Sequence, residues 1–446
     1  NWWIKIGENM LKSSLKTTLI VFLILWFNAP SFSQEKIILN LEKSLETAYQ
    51  NNRTLLSQKE KIRSSGFKIS ETKSSFYPRL SFQGSYTYLG VVPSISISMP
   101  GFFEGEFKTG FHDNFDFGLS LQQSIFTWGR IRNSYSISKL SLKIEEENYN
   151  KNKQKITYDV TSSFYSALLA RELIRVREDA LKNIEEHLKT VELRYKAGQA
   201  SEFDLLRSKV QLANANPPLL QARQAYDLAL SFFKNILGLP QESQIELDGQ
   251  LSFQPLEVNL ENSTQKSLLQ RPELRSLDLQ RQIALKGLAI AKAGNKPSLV
   301  GIANYLYENP YYGVKKWDTD WNFTLSVSLP LFDGFATRSR VNQAKSDLKQ
   351  LDIGEQDLRE GIKLEVKQAV TSLDLAKQTI LSQQETVNQA KESLRIAKVQ
   401  YAQGIITSLE EMDAELALTY AQINYLQALA DYLRAQAQYN KAVGEE

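Results

Sequence analysis

Residues 194–206 read RYKAGQASEFDLL, and residues 400–412 read QYAQGIITSLEEM. Tyrosine, glycine, a hydroxyl residue and an acid recur at the same spacings, as Tyr195 and Tyr401, Gly198 and Gly404, Ser201 and Thr407, Asp204 and Glu410. A glycine after a helical run suits the left-handed position that closes a helix. Ser or Thr followed three residues later by an acid is a capping box, which opens one. The segment predicts a long helix that turns back on itself, and the chain writes that reversal twice.

Working outward, an offset of 206 residues aligns Leu119 with Leu325, Phe126 with Phe332, Arg132 with Arg338, Leu212 with Leu418 and Gly238 with Gly444. Upstream the offset becomes 219 and aligns Arg53 with Pro272, Leu55 with Leu274 and Pro78 with Pro297. The thirteen extra residues of the first copy lie between Leu89 and Phe115, in a Gly- and Pro-rich stretch that reads as an exposed loop. Internal duplication therefore organises the chain. Repeat one covers residues 34–238, repeat two covers 265–446, and 239–264 read as an irregular linker.

Each copy predicts the same parts in the same order. A helix comes first, Leu41 to Ser75 and Gln265 to Ala293, closed by Pro78 or Pro297. Two strands follow, about 79–89 and 115–126 in the first copy, about 298–307 and 321–330 in the second. Leu80, Phe82, Tyr86 and Tyr88 alternate with Ser81, Gln83, Ser85 and Thr87. Trp321, Phe323, Leu325 and Val327 alternate with Asn322, Thr324 and Ser326. Then come long helices, 131–197 and 338–403. The first has no Gly or Pro, and at ~1.5 Å per residue it spans about 100 Å. Helices this long pair as coiled coil rather than folding over a compact core. The tip turns 198–201 and 404–407 lead into return helices 202–237 and 408–443. Pro217-Pro218 should kink or break the first return helix.

Strict alternation over about ten residues fits a transmembrane barrel strand, and it fits an amphipathic sheet on a soluble core equally well. Outward Tyr and Trp favour the membrane. So does the N-terminus, where Lys12 and Lys16 precede the apolar run LIVFLILWF (19–27) and the small residues of APSFSQ. That run is too short to span a bilayer and reads as a secretory signal peptide, cleaved after Ser33. Residues 1–9 precede Met10, the expected start. Four strands cannot close a barrel, and open edges are not tolerated in lipid, so the strands require oligomerisation.

Composition narrows the chemistry. The chain holds 446 residues with 42% hydrophobic, a net charge of +3, two histidines and no cysteine. Mean polarity excludes a helical multi-span membrane protein, and near-neutral charge gives no footprint for nucleic acid. Disulfides, thiolate chemistry and cysteine-ligated metals are excluded. His112 lies in the variable loop, and His187 sits mid-helix among NIEEHLKT, where it reads as solvated. KAGNK (292–296) lacks the spacing of a phosphate-binding loop. No catalytic, cofactor or metal site is expected, and the chain does not read as an enzyme.

The whole of residues 36–446 resembles the outer membrane efflux protein family, the TolC-like channels. The resemblance rests on RYKAGQASEFDLLRSKVQLANA, NILGLP (235–240), the joins SIFTWGRIRNS and PLFDGFATRSR, and above all the duplicated order of parts. It implies an α+β fold: a homotrimer whose twelve strands form one β-barrel in the outer membrane of a Gram-negative cell. Twelve long helical strands would continue it as a periplasmic α-helical barrel. It implies passive export in a tripartite efflux or type I secretion system, with a periplasmic adaptor protein as partner and an inner-membrane pump supplying energy. The tip turns, with Tyr195, Gly198, Ser201, Tyr401, Gly404 and Thr407, would meet the adaptor. Acids past the turns would line the closed gate, and by position they are Asp413, Glu410 and Asp204. Capping already explains Asp204 and Glu410, but not Asp413. Around one narrow axis such carboxylates would attract cations and raise one another's pKa. Polar links between the turns would involve Tyr401 and Asp204. Many members carry a gate arginine two residues after the second glycine, where this chain has Ile406. The rival reading is a secreted coiled-coil structural or adhesive surface protein. It accounts for the long helices but not for the alternating strands.

Overall fold

The computed structural model describes residues 36–445, and the expected signal peptide at 1–33 lies outside them. The chain begins with strand β1 (Ile37–Leu39), helix α1 (Leu41–Asn51) and helix α2 (Arg53–Lys73). Strands β2 (Arg79–Tyr88), β3 (Ser94–Met99), β4 (Phe103–Lys108) and β5 (Asp113–Phe126) follow. Next come the helices α3 (Arg130–Lys196) and α4 (Glu202–Leu237), then strand β6 (Ile245–Leu247). Helices α5 (Leu260–Gln270) and α6 (Pro272–Lys292) lead to strands β7 (Ser298–Asn309) and β8 (Asp318–Ser328). Helices α7 (Ala336–Ala402) and α8 (Ser408–Val443) complete the chain. Helix dominates, and among the described residues no helix is long and apolar enough to cross a membrane.

The main sheet is antiparallel, ordered β2-β5-β7-β8. Its register puts Phe82 beside Leu119, Leu119 beside Tyr305 and Tyr305 beside Trp321. Because side chains alternate along a strand, this brings apolar residues from all four strands to one face, although Val300, Ile302 and Leu306 of β7 fall on the other. Phe82, Leu119, Tyr305 and Trp321 are exposed there. Trp317 stacks on Phe117 and Tyr307 near one end of that face, and Phe126 meets Trp128 at the other. β2 and β8 are the sheet edges. The expected loop between β2 and β5 is not structureless. Ser94–Met99 and Phe103–Lys108 pair as a second hairpin.

Each first helix is broken where a single one was expected. The first copy splits at Asn52 and the second at Arg271, 219 residues on, and the second begins at Leu260 rather than Gln265. The cause is long-range. Asn52 Nδ2 donates to the Ile236 carbonyl at 2.8 Å, and Arg271 Nη1 donates to the Ala442 carbonyl at 3.2 Å. Each break thus holds the C-terminal end of a return helix, where carbonyls lack helical partners. Arg271 is buried and paired with Glu273 and Glu365, and these carboxylates hold its guanidinium pKa up although burial opposes them. The local signals are Asn52 as N-cap and Pro272 at the first helical position.

The linker is also more than irregular chain. Ile245–Leu247 pairs in parallel with Ile37–Leu39. Leu39, Ile245 and Leu247 then bury with Leu55, Val160, Phe164, Leu168, Phe233 and Leu237 in the largest core cluster. Further along, the buried Tyr432 hydroxyl donates to the Gln254 carbonyl and accepts from Leu256 N–H, both at 2.9 Å. The linker is therefore laid down along α8.

Pro217 and Pro218 do not break α4, which runs unbroken from Glu202 to Leu237. The carbonyls deprived of donors belong to Ala213 and Asn214, and both residues are exposed, where water is within reach of the backbone at low cost. Packing along α3 supplies the rest of the support.

Candidate functional site

The ends of the two helical hairpins carry the residues singled out from the sequence. In the first turn Gly198 takes φ +72°. Its N–H donates to Tyr195 O at 3.0 Å, and Gln199 N–H donates to Arg194 O at 2.8 Å. Gly404 takes φ +73°, with Gly404 N–H on Tyr401 O at 3.0 Å and Ile405 N–H on Gln400 O at 2.9 Å. Both are Schellman closures, which satisfy the last helical carbonyls and need a left-handed residue.

Both capping boxes close reciprocally. Ser201 Oγ accepts from Asp204 N at 3.1 Å, and Asp204 Oδ2 accepts from Ser201 N at 3.2 Å. Thr407 Oγ1 accepts from Glu410 N at 3.3 Å, and Glu410 Oε2 accepts from Thr407 N at 2.7 Å and from its hydroxyl at 2.9 Å. The Thr407 backbone N–H, and then its hydroxyl, hold the Glu410 carboxyl below the usual glutamate range. Asp204 and Glu410 are thus committed to their own helix starts within the chain. Asp413 is exposed one turn further along α8, and among the described residues nothing bonds its carboxylate.

The two tyrosines differ in setting. Tyr195 is 41% exposed, whereas Tyr401 is 8% exposed. Burial pushes the Tyr401 phenol up. Among the described residues no hydrogen bond joins Tyr401 to Asp204. Instead Arg194 of α3 lies 4.3 Å from the Tyr401 ring centroid, and its Nη2 donates to the Ala402 carbonyl at 3.0 Å. A cation does cross between the turns here, but it comes from the first long helix and not from position 406.

His187 is not solvated. Its side chain is only 10% exposed and lies between the hairpins. Nε2 is 2.8 Å from Ser408 Oγ, the ring centroid is 5.4 Å from that of Tyr401, and Nδ1 is 3.2 Å from Glu411 Oε2. The last contact lacks hydrogen-bond alignment, so that oxygen has no donor. Sequence reading missed both Arg194 and His187. The available signal was helical spacing, because His187, the fully buried Val191 and Arg194 share one face at steps of four and three. Among the described residues no group of three His, Cys, Asp or Glu is placed to hold a metal ion.

The family profile described as Outer membrane efflux protein matches residues 44–239 and 264–445. The probable outer membrane lipoprotein SilC of Salmonella typhimurium is 24% identical, over 84% of this chain and 79% of its own length. The cation efflux system protein CusC of Escherichia coli O157:H7 is 23% identical, over 85% of this chain and 82% of its own. The crystal structure of the Campylobacter jejuni CmeC outer membrane channel superposes with a TM-score of 0.76 at 18% identity, covering 91% of this chain and 85% of that one.

Proposed function

The chain belongs to the outer membrane efflux protein family, and we propose that it is the outer membrane duct of a tripartite efflux or type I secretion system. Cargo enters from a periplasmic adaptor and an inner-membrane pump, and it leaves passively to the exterior. The observation that carries this reading is the sheet. One face is apolar on all four strands and exposed, and both edges, β2 and β8, are open. In lipid an open edge strands a row of N–H and C=O groups at several kcal/mol each. Closure with two further copies, β8 of one against β2 of the next, gives twelve strands and no edge.

The dimensions agree with a bilayer. Phe115 and Phe126 mark the aromatic ends of β5, eleven residues apart. At ~3.3 Å per residue and a tilt of about 45° they stand ~26 Å apart along the normal, close to the ~25 Å apolar band of such barrels. Helices α3 and α7, each of 67 residues, then carry the tunnel about 100 Å into the periplasm. We read the chain as two copies of one unit, residues 34–238 and 265–446. Asn52 and Arg271 holding their return helices at matched positions support that division.

The turns Gly198–Ser201 and Gly404–Thr407 are the periplasmic tips, where the adaptor docks. Asp413 is the acid best placed for the gate, being exposed and uncommitted. Glu410 and Asp204 serve their caps first and contribute their charge second.

Two experiments test this. Cysteine pairs joining Gln83 to Asn322, Thr324 or Ser326 lie on the polar face of the two edge strands. One of them should crosslink chains into a trimer, and a detergent-resistant trimer should give step conductance in planar bilayers. Crosslinks stopping at dimers would refute the closed barrel. Cysteines at Gln199 or Ile405 should crosslink to a periplasmic adaptor, and failure at both would sink the tip assignment.

A further inference from the structure

Just above the tips a cavity of about 280 Å³ opens where α3, α4, α7 and α8 meet. Its size approaches the lower end of small-molecule sites. Glu411 and Glu415 stand one turn apart on α8 and line it. Glu411 is only 9% exposed, and its Oε2, 3.2 Å from Nδ1 of His187, which also lines the cavity, receives no aligned hydrogen bond. Glu415 Oε1 accepts from Asn183 Nδ2 at 2.6 Å, but its Oε2 is buried and without a donor. Lys398 Nζ, on a side chain 47% exposed, stands 3.8 Å from that oxygen, beyond hydrogen-bond reach. Arg177 lines the opposite end, ten residues and ~15 Å along α3 from His187. Ile184, Met412 and Leu416 supply an apolar wall.

Two buried carboxylate oxygens without donors are costly unless a cation or donor reaches them. A bare metal ion does not suit the site, since Glu411, Glu415 and the His187 imidazole that also lines it are not placed as a group that could hold one. An ammonium group on a short apolar body suits it: three N–H donors for the two oxygens, and carbon for the wall. We propose that this cavity is a binding site for a small primary amine, with Glu411 and Glu415 receiving the ammonium and Ile184, Met412 and Leu416 the apolar body. Because α3 and α4 form one hairpin and α7 and α8 the other, the occupant touches both. The binding claim stands on the cavity and not on the export reading.

Calorimetry on the full-length protein in detergent tests it, with 2-phenylethylamine as probe and 2-phenylethanol as its uncharged counterpart. Saturable binding of one amine per chain is expected, with the alcohol at least tenfold weaker. Glu411→Gln with Glu415→Gln should weaken the amine at least tenfold. Lys398→Ala removes a competing cation and should tighten it severalfold, a gain that misfolding cannot mimic. No saturable binding, equal binding of the alcohol, or an affinity unmoved by Lys398→Ala would overturn the proposal.

Discussion

Arg194 and Tyr401 come from different long helices, yet the guanidinium of one lies 4.3 Å from the ring centroid of the other. The same guanidinium donates to Ala402 O at the neighbouring turn. With the His187–Ser408 contact one turn away, it ties α3 to the second turn within one chain. The resemblance would have put the linking arginine at position 406, where the chain has Ile406; here a guanidinium reaches the second turn from Arg194 instead.

Replacing Arg194 should loosen the tips. A partly desolvated cation–π contact and a charged hydrogen bond together contribute about 2 kcal/mol, roughly thirtyfold in an equilibrium between apposed and parted hairpins. Arg194→Ala should raise the open probability of single channels in planar bilayers. Arg194→Lys should fall between, because lysine keeps the charge but loses the planar fork. An Arg194→Ala channel with unchanged open probability would show that the contact carries no gating energy.

Asp413 and Glu410 should separate under mutation. Asp413 is uncommitted, so Asp413→Ala should weaken block by multivalent cations with little change in stability. Glu410 is bound up in the Thr407 cap, so Glu410→Ala should fray the start of α8 and alter block less. Cation titrations of single-channel current distinguish the two, and unchanged block in Asp413→Ala removes that residue from the gate.

The four helix-closing glycines are not equivalent. At Gly198 an added Cβ meets nothing within 4 Å, so Gly198→Ala costs only left-handed backbone strain of ~1 kcal/mol. At Gly238 the same Cβ would stand 2.3 Å from Asn51 O. Gly238→Ala should therefore lose a further 1–3 kcal/mol or so, because the docked end of α1 must move. Thermal melts followed by helical circular dichroism should show Gly238→Ala clearly below Gly198→Ala. Equal midpoints would mean the α1–α4 junction yields freely.

Acid should loosen the second tip through Glu410. Its carboxyl is held below the usual range in the folded chain, so its contribution is complete above the ordinary glutamate value, about pH 4.3. That contribution is lost as pH falls through the lowered folded value. Melts recorded between pH 6 and pH 3 should fall less steeply for Glu410→Gln than for the parent chain. Identical slopes would place the acid sensitivity elsewhere.

What the sequence determined by itself is what short-range forces control. Gly198, Ser201 and Asp204 specify a reversal because each partner lies within a few residues. Alternation at Leu80–Tyr88 specifies a strand because the backbone period is two. Freedom from Gly and Pro through 131–197 specifies a long helix. Tertiary structure decided the rest. The helices part at Asn52 and Arg271 because the ends of α4 and α8, 184 and 171 residues away, need donors there. His187 looked solvated among charged neighbours, but its side chain is largely covered because Ser408 and Glu411 at the start of α8 pack against it. Pro217-Pro218 passed without a break because α4 packs along α3 and the residues whose carbonyls lose their donors, Ala213 and Asn214, are exposed. Local hydrogen bonds are written in adjacent letters, whereas a contact between residues two hundred positions apart exists only once the chain has folded.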